Sequence, residues 1–203
     1  MVKFIAAALL AGPALIVFGA APALAQDVVP NAAGTGPRIE ALIGYDAPNN
    51  GVKNGLAYGV GAGFDFTALG ATAGVEAEYV GSDANRCDRD ILRAGDKACA
   101  GLGRDVYVGG RVGANLIGSS FVYAKAGYTN QRVRASYDDG GNGSLNANQG
   151  RNLDGVRVGA GIEFGIPTLG FGSSAYLKTE YRYSNYQAGF EKHQAMAGVG
   201  FRF

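Results

Sequence analysis

Hydrophobic and polar positions alternate with a period of two along most of the chain. From Asp105 to Leu116, the residues Val106, Val108, Gly110, Val112, Ala114 and Leu116 interleave with Asp105, Tyr107, Gly109, Arg111, Gly113 and Asn115. That is the side-chain period of a β-strand, and about ten such residues cross a bilayer at a tilt. The pattern returns in Leu56–Phe66, Val156–Phe164, Tyr176–Ser184 and His193–Phe203. It predicts eight strands: Arg38–Asp46, Gly55–Phe66, Ala73–Val80, Arg104–Leu116, Ser120–Asn130, Leu153–Phe164, Ala175–Ser184 and Lys192–Phe203.

The two faces of these strands differ in kind. One carries Ile39, Ala41, Ile43 and Tyr45, then Val75, Ala77 and Tyr79, then Val122, Ala124, Ala126 and Tyr128, and no charge. The other carries Glu40, Asp65, Glu76, Glu78, Asp105, Glu163 and Glu180 with Arg111, Lys125, Arg157, Lys178, Arg182 and Arg202. Glycine accounts for 34 of 203 residues, and much of it sits on the charged face, as at Gly59, Gly61, Gly63, Gly109, Gly159 and Gly161. A soluble barrel would put those glycines outside and fill its core with Val, Ala and Tyr, which packs poorly. With the faces reversed, small residues and paired charges fill the narrow lumen of eight strands and the apolar list meets lipid. The expected fold is therefore all-β, an eight-stranded antiparallel up-and-down transmembrane β-barrel. Tyr45, Phe66, Tyr79, Tyr128, Phe164, Tyr183 and Phe203 lie on the apolar list near strand ends, where membrane barrels carry aromatic girdles.

The first segment adds an address. Lys3, the apolar run Phe4–Phe18 and the small-residue site Ala23-Leu24-Ala25 read as a secretory signal peptide, residues 1–25, cleaved between Ala25 and Gln26. Residues 26–36 form a flexible lead-in and 37–203 the barrel. An N-terminus in the periplasm puts the connections Thr67–Thr72, Ile117–Ser119 and Gly165–Ser174 on the inner side. The long Gly81–Gly103 and Gln131–Asn152 then lie outside the cell. Of the 18 Lys and Arg one is Lys3, which leaves 17 against 17 acidic residues, so no basic excess points to nucleic acid. Glycine without a three-residue period and with only 6 Pro argues against collagen and Pro-rich disorder.

Candidate chemistry is sparse. Cys87 and Cys99 are the only cysteines, share the long third connection, and reach an oxidising compartment, so a disulfide is expected rather than a metal site completed by Asp83, Asp88, Asp90 or Asp96. The inward charges Glu40, Asp65, Glu76, Glu78, Arg111, Lys125, Arg157, Glu163, Lys178, Glu180, Arg182 and Arg202 are expected to form a lumen network that plugs the barrel, because eight strands enclose only side-chain space. His193, the sole histidine, falls on the lipid-facing list near the outer rim, with Tyr45 and Tyr183 as its nearest rim residues and neither a usual acyl acceptor. No G-x-G-x-x-G opens a helix. Asp138-Asp139-Gly140-Gly141-Asn142-Gly143 lacks calcium-loop spacing and reads as a mobile solvated loop. No catalytic residue, metal or cofactor is expected.

Four stretches carry a resemblance. Gly74-Val75-Glu76-Ala77-Glu78-Tyr79, Tyr123-Ala124-Lys125-Ala126-Gly127-Tyr128, Tyr176-Leu177-Lys178-Thr179-Glu180-Tyr181-Arg182-Tyr183 and the ending Gly198-Val199-Gly200-Phe201-Arg202-Phe203 resemble the small eight-stranded outer-membrane β-barrel proteins of Gram-negative bacteria. These are also called porin-like or opacity-protein-like. The chain resembles the membrane part of OmpA-type proteins without their periplasmic domain. The resemblance implies location in the Gram-negative cell outer membrane, outer-membrane lipid as surroundings, and insertion by the outer-membrane assembly machinery with Phe201 and Phe203 as its signal. It implies a non-enzymatic role in envelope integrity, with surface loops open to an unidentified ligand. A narrow diffusion channel and a loop-mediated adhesin are the alternatives.

Overall fold

Backbone pairing runs well past the apolar stretches that announce it. The computed structural model describes residues 34–49, 51–92, 94–140, 147–166 and 174–203. These form β1 (Gly36–Pro48), β2 (Gly55–Ala68), β3 (Ala71–Ser82), β4 (Asn85–Arg89), β5 (Lys97–Asn115), β6 (Ser120–Asp138), β7 (Ala147–Ile166), β8 (Ser174–Tyr186) and β9 (Glu191–Arg202). Neighbours follow the order β3-β2-β1-β9-β8-β7-β6-β5, and β3 pairs with β5 to close the ring. Eight antiparallel strands thus make the barrel. The short β4 continues the line of β3 and pairs with β5 beyond it.

The strands are longer than expected, most of all β5, β6 and β7. Hydrophobic alternation ends where one face stops meeting lipid, whereas the hydrogen-bonded ladder continues as long as both neighbours stay extended. Lys97 pairs with Asp138 and Tyr137 with Ala147. The expected outer connections Gly81–Gly103 and Gln131–Asn152 are therefore largely a sheet of β4, β5, β6 and β7 rising from one end of the barrel. At the opposite end, which carries the described chain termini, Leu69 (φ 53) and Gly70 (φ 80) form a two-residue turn with both centres left-handed, the geometry that matches the twist of a hairpin.

Residues 1–33, with the expected cleavage site Ala25/Gln26, lie outside the described residues, as do 141–146 and 167–173. Of the expected flexible lead-in, Gly36 already belongs to β1, and the Thr35 hydroxyl accepts a hydrogen bond from the Thr67 amide at 2.9 Å.

Side-chain parity sorts the barrel as its sequence does. Val60 (59 % exposed), Phe66 (60 %), Val75 (62 %) and their row-mates make a continuous apolar outer belt. Its extent exceeds what water-facing monomers expose, so the belt faces lipid. No described helix is long and apolar enough to cross a membrane. Inside, the apolar clusters are small: Leu42, Ala57, Val80 and Met196; Phe121 and Tyr123; and Ala84, Leu102, Leu153, Tyr186 and Phe190. Charge fills the rest.

Candidate functional site

Eight Lys or Arg and eight Asp or Glu are buried in the lumen: Arg38, Arg111, Lys125, Arg157, Lys178, Arg182, Lys192 and Arg202 against Glu40, Asp46, Asp65, Glu76, Glu78, Asp105, Glu163 and Glu180. The sum is neutral, and every one of the eight barrel strands contributes. Near the terminal end, Arg38 reaches Glu40 at 2.7 Å and Asp65 at 3.2 Å and also pairs with Glu76. Asp65 holds Arg111 at 2.6 Å and Arg202 at 2.9 Å, and Glu163 takes a second contact from each. At mid-depth the Lys125 ammonium lies 2.8 Å from Glu76, 2.7 Å from Glu78 and 3.0 Å from Glu180. Lys178 meets Glu40 at 2.8 Å, and Arg182 meets Glu78 at 2.8 Å as well as Glu180. Towards the far end Arg157 pairs with Asp105, which also holds Lys192 at 2.5 Å.

A chain of ion pairs therefore runs the depth of the barrel, from Arg202 through Asp65, Arg38, Glu76, Lys125, Glu78, Arg157 and Asp105 to Lys192. Unpaired charges at such depth are costly, and removing one member of a buried pair typically destabilises by about 3–5 kcal/mol. The twelve charges expected in the lumen are all there. Four more belong to the network: Asp105, already read on the charged face, and Arg38, Asp46 and Lys192, which stand at predicted strand ends, where parity says little. Gln131 and Gln194 join it too, the first accepting from Lys192 at 2.7 Å and the second donating to Asp46 at 2.6 Å.

Aromatic rings fill the space between the charges. The Arg111 guanidinium lies 5.0 Å from the Tyr123 ring centre, Lys125 4.6 Å from Tyr107 and Arg202 5.1 Å from Tyr176, contacts in which the ring face attracts the cation. Inward glycines make room for them: a Cβ at Gly200 would stand 2.2 Å from the Tyr176 ring, and one at Gly161 2.6 Å from the Tyr123 hydroxyl. At the far end Leu102, Leu153, Tyr186 and Phe190 pack together as an apolar stopper over the charges. Sequence reading missed the stopper because Phe190 lies outside the predicted strands, in the link between β8 and β9.

Glu40, Glu76 and Glu78 place carboxylate oxygens within 4.8 Å of one another, a spacing that suits a cation. Arg38, Lys125, Lys178 and Arg182 already supply that charge, so a metal would face ammonium and guanidinium groups instead of a vacant donor set. On the outer face, His193 Nδ1 is 2.6 Å from the Tyr181 hydroxyl, and the Tyr183 ring centre lies 5.1 Å away. Tyr181 stands where Tyr45 was expected, because the register sets Tyr45 against Ala195 and His193 against Ala47. The described contacts of His193 include no serine or carboxylate.

Beyond the far end, Cys87 and Cys99 face each other across β4 and β5 with Cα atoms 4.0 Å apart and form a disulfide. The nearby carboxylates have other work. Asp96 accepts from the Ile91 and Leu92 amides at 2.7 and 2.8 Å and from the Tyr137 hydroxyl at 3.0 Å, Asp90 accepts from the Gly95 amide, and Asp88 pairs with Arg86. Asp138, expected in a mobile loop, ends β6 and accepts from the Gly140 amide at 3.0 Å.

The family model for the outer membrane protein beta-barrel domain matches residues 11–203. No curated protein matches the chain. Among solved structures, Ail, the attachment invasion locus protein of Yersinia pestis, superposes with a TM-score of 0.51 at 15 % identity, covering 84 % of this chain and 100 % of that one. Ail in complex with the heparin analogue sucrose octasulfate gives 0.50 at 15 % identity over 83 % and 99 % of the two chains. The N-terminal β-barrel domain of Pseudomonas aeruginosa OprF gives 0.49 at 14 % identity over 83 % and 98 %. At these identities the likeness is one of fold.

Proposed function

The chain belongs to the outer membrane protein beta-barrel domain family, and from that premise we propose that it is a closed, non-enzymatic barrel of the Gram-negative outer membrane. In this reading it anchors in outer-membrane lipid, contributes to envelope integrity and carries a surface-exposed sheet. Its lead segment is cleaved between Ala25 and Gln26, its terminal end faces the periplasm, and the assembly machinery recognises Phe203.

One observation carries the closed state. The ion-pair network that contains the Arg202-to-Lys192 chain draws on all eight strands and is capped by Leu102, Leu153, Tyr186 and Phe190. A sugar-sized path needs a lumen lined by mobile side chains; here the cations are buried and each is held by at least one carboxylate. The test is swelling of proteoliposomes in neutral sugars. No swelling above protein-free vesicles is expected, and reproducible sugar entry would support a diffusion channel instead.

A second reading, surface attachment, is favoured by the hairpin of β4 and β5. Asp96 and the Cys87–Cys99 bond hold its tip, where Ile91 and Leu92 are exposed. Apolar side chains displayed on a fixed tip suit contact with another surface. Deletion of residues 90–95 abolishes attachment of intact cells under this reading and leaves the barrel folded.

A further inference from the structure

Just above the lipid-facing belt, three arginines gather on the outside of the barrel without acidic partners. Arg132 and Arg134 point outward on β6 and are exposed, and Arg104 lies where the β5–β6 register slips between Leu102 and Asp105. None of the three forms an ion pair among the described residues. The outward carboxylate one step below, Asp154, is taken by Tyr128 and by Asn130 at 2.7 Å.

With Tyr58 and Tyr79 the arginines line a cleft of about 440 Å³. Two glycines open its floor: the Tyr58 ring lies 3.3 Å from where a Cβ of Gly81 would be, and Arg134 Nε 3.3 Å from where one of Gly103 would be. Val60 and Tyr79 are shared with a second, apolar groove of about 670 Å³, which runs down the belt over Ala41, Ala62 and Ala77. In register, Tyr79 lies between Val60 and Val106, directly beneath the row of arginines. A charged cradle and a groove of chain width are thus one continuous feature.

We propose that this feature binds a phosphorylated lipid of the surrounding leaflet. Arg104, Arg132 and Arg134 hold the phosphate, and an acyl chain lies along Ala41, Ala62 and Ala77. Planar guanidinium forks match phosphate oxygens, and basic residues beside a bilayer surface attract anionic headgroups. The tyrosines sit at the polar–apolar boundary, where such rings settle. An uncharged lipid would occupy the groove and leave three cations unmatched; a soluble polyanion would match the cations and leave the groove empty. The site requires the barrel to stand in a bilayer and is independent of whether its lumen conducts.

Native mass spectrometry of the refolded full-length mature chain in a neutral detergent tests it, with dipalmitoyl phosphatidic acid as probe. Dipalmitoylglycerol, glycerol 3-phosphate and sucrose octasulfate supply the groove alone, the headgroup alone and a soluble polyanion. Phosphatidic acid should bind about ten-fold more tightly than dipalmitoylglycerol or glycerol 3-phosphate, a difference of about 1.4 kcal/mol. The double variant R132Q/R134Q should lose a similar factor, and Ala62→Phe, which fills the groove, should also weaken binding. Arg89→Gln, which removes an exposed charge on the hairpin, should not. Equal binding by wild type and R132Q/R134Q, equal binding of the two lipids, or tighter binding of sucrose octasulfate than of phosphatidic acid would each overturn the proposal. A barrel that folds but binds no lipid leaves the closed-barrel reading standing.

Discussion

Asp65 and Arg111 grip each other across an intervening strand. Arg111 Nε donates to Asp65 Oδ1 at 2.9 Å and Nη2 to Oδ2 at 2.6 Å, although β3 separates β2 from β5. The residue between them in register is Gly74, paired with Asp65 on one side and Arg111 on the other. A Cβ at Gly74 would stand 2.1 Å from Asp65 Oδ1 and 2.8 Å from the Phe64 carbonyl oxygen. The absence of a side chain lets the bidentate pair pass over the strand.

Gly74→Ala is therefore expected to destabilise the barrel by about 1–3 kcal/mol through overpacking, and by more if the pair breaks. Gly110→Ala serves as its control, because a Cβ there meets only ordinary contact at 3.6 Å on the lipid side. The temperature at which the compact electrophoretic form converts to the unfolded one should fall for Gly74→Ala and hold for Gly110→Ala. Equal behaviour of the two would remove the special role of Gly74.

The parity of Ile39, Ala41 and Ile43 against Glu40 is legible in the sequence because lipid and lumen demand opposite chemistry on the two faces of every strand. Partners are not. That Asp65 meets Arg111 over Gly74, or that Lys125 meets three carboxylates at once, depends on register around a closed ring, which no local spacing encodes. The pairing of Lys97–Gly101 with β6 was also hidden, since both faces there meet water and the hydrophobic period vanishes. Arg104, Arg132 and Arg134 fell in residues expected to be loops or strand ends, so their common outward face emerges only with the extended β5 and β6. Lys192 was counted at a strand start, but its place on Asp105 follows from the inward turn of β9.

Replacing Cys87 and Cys99 by serine should loosen the hairpin and spare the barrel. On the loop-entropy model a bridge across so short a loop is worth about 3 kcal/mol, and β4 pairs outside the closed ring. Limited trypsinolysis at Arg86, Arg89 and Lys97 should accelerate in the double variant, with the heat conversion of the barrel unchanged. A large fall in that conversion temperature would mean the bridge supports the barrel itself.

The Phe203 amide donates to the Pro37 carbonyl at 3.0 Å, while its ring stays exposed at the terminal edge of the belt. Loss of the ring removes little packing, so deletion of Phe203 should lower the amount assembled in cells more than the stability of barrel refolded in detergent. Normal assembly of the deletion variant would deny the ring a part in recognition.

The far-end sheet is expected outside the cell and the Leu116–Ser120 turn in the periplasm. An epitope inserted at Gly95 should be labelled on intact cells, and one at Ser119 only after the outer membrane is opened. The opposite labelling would invert the barrel.

The closed lumen is tested most directly by planar-bilayer recording of the wild-type protein beside the double variant R111A/R157A. Arg111 and Arg157 each fill space and neutralise buried carboxylates, Asp65 and Glu163 for the first and Asp105 for the second. The wild type should show no steady conductance, only rare small steps. The variant should leak ions continuously and unfold at lower temperature. Stable, reproducible channels in the wild type, unchanged by the double substitution, would contradict a barrel closed by its own charges.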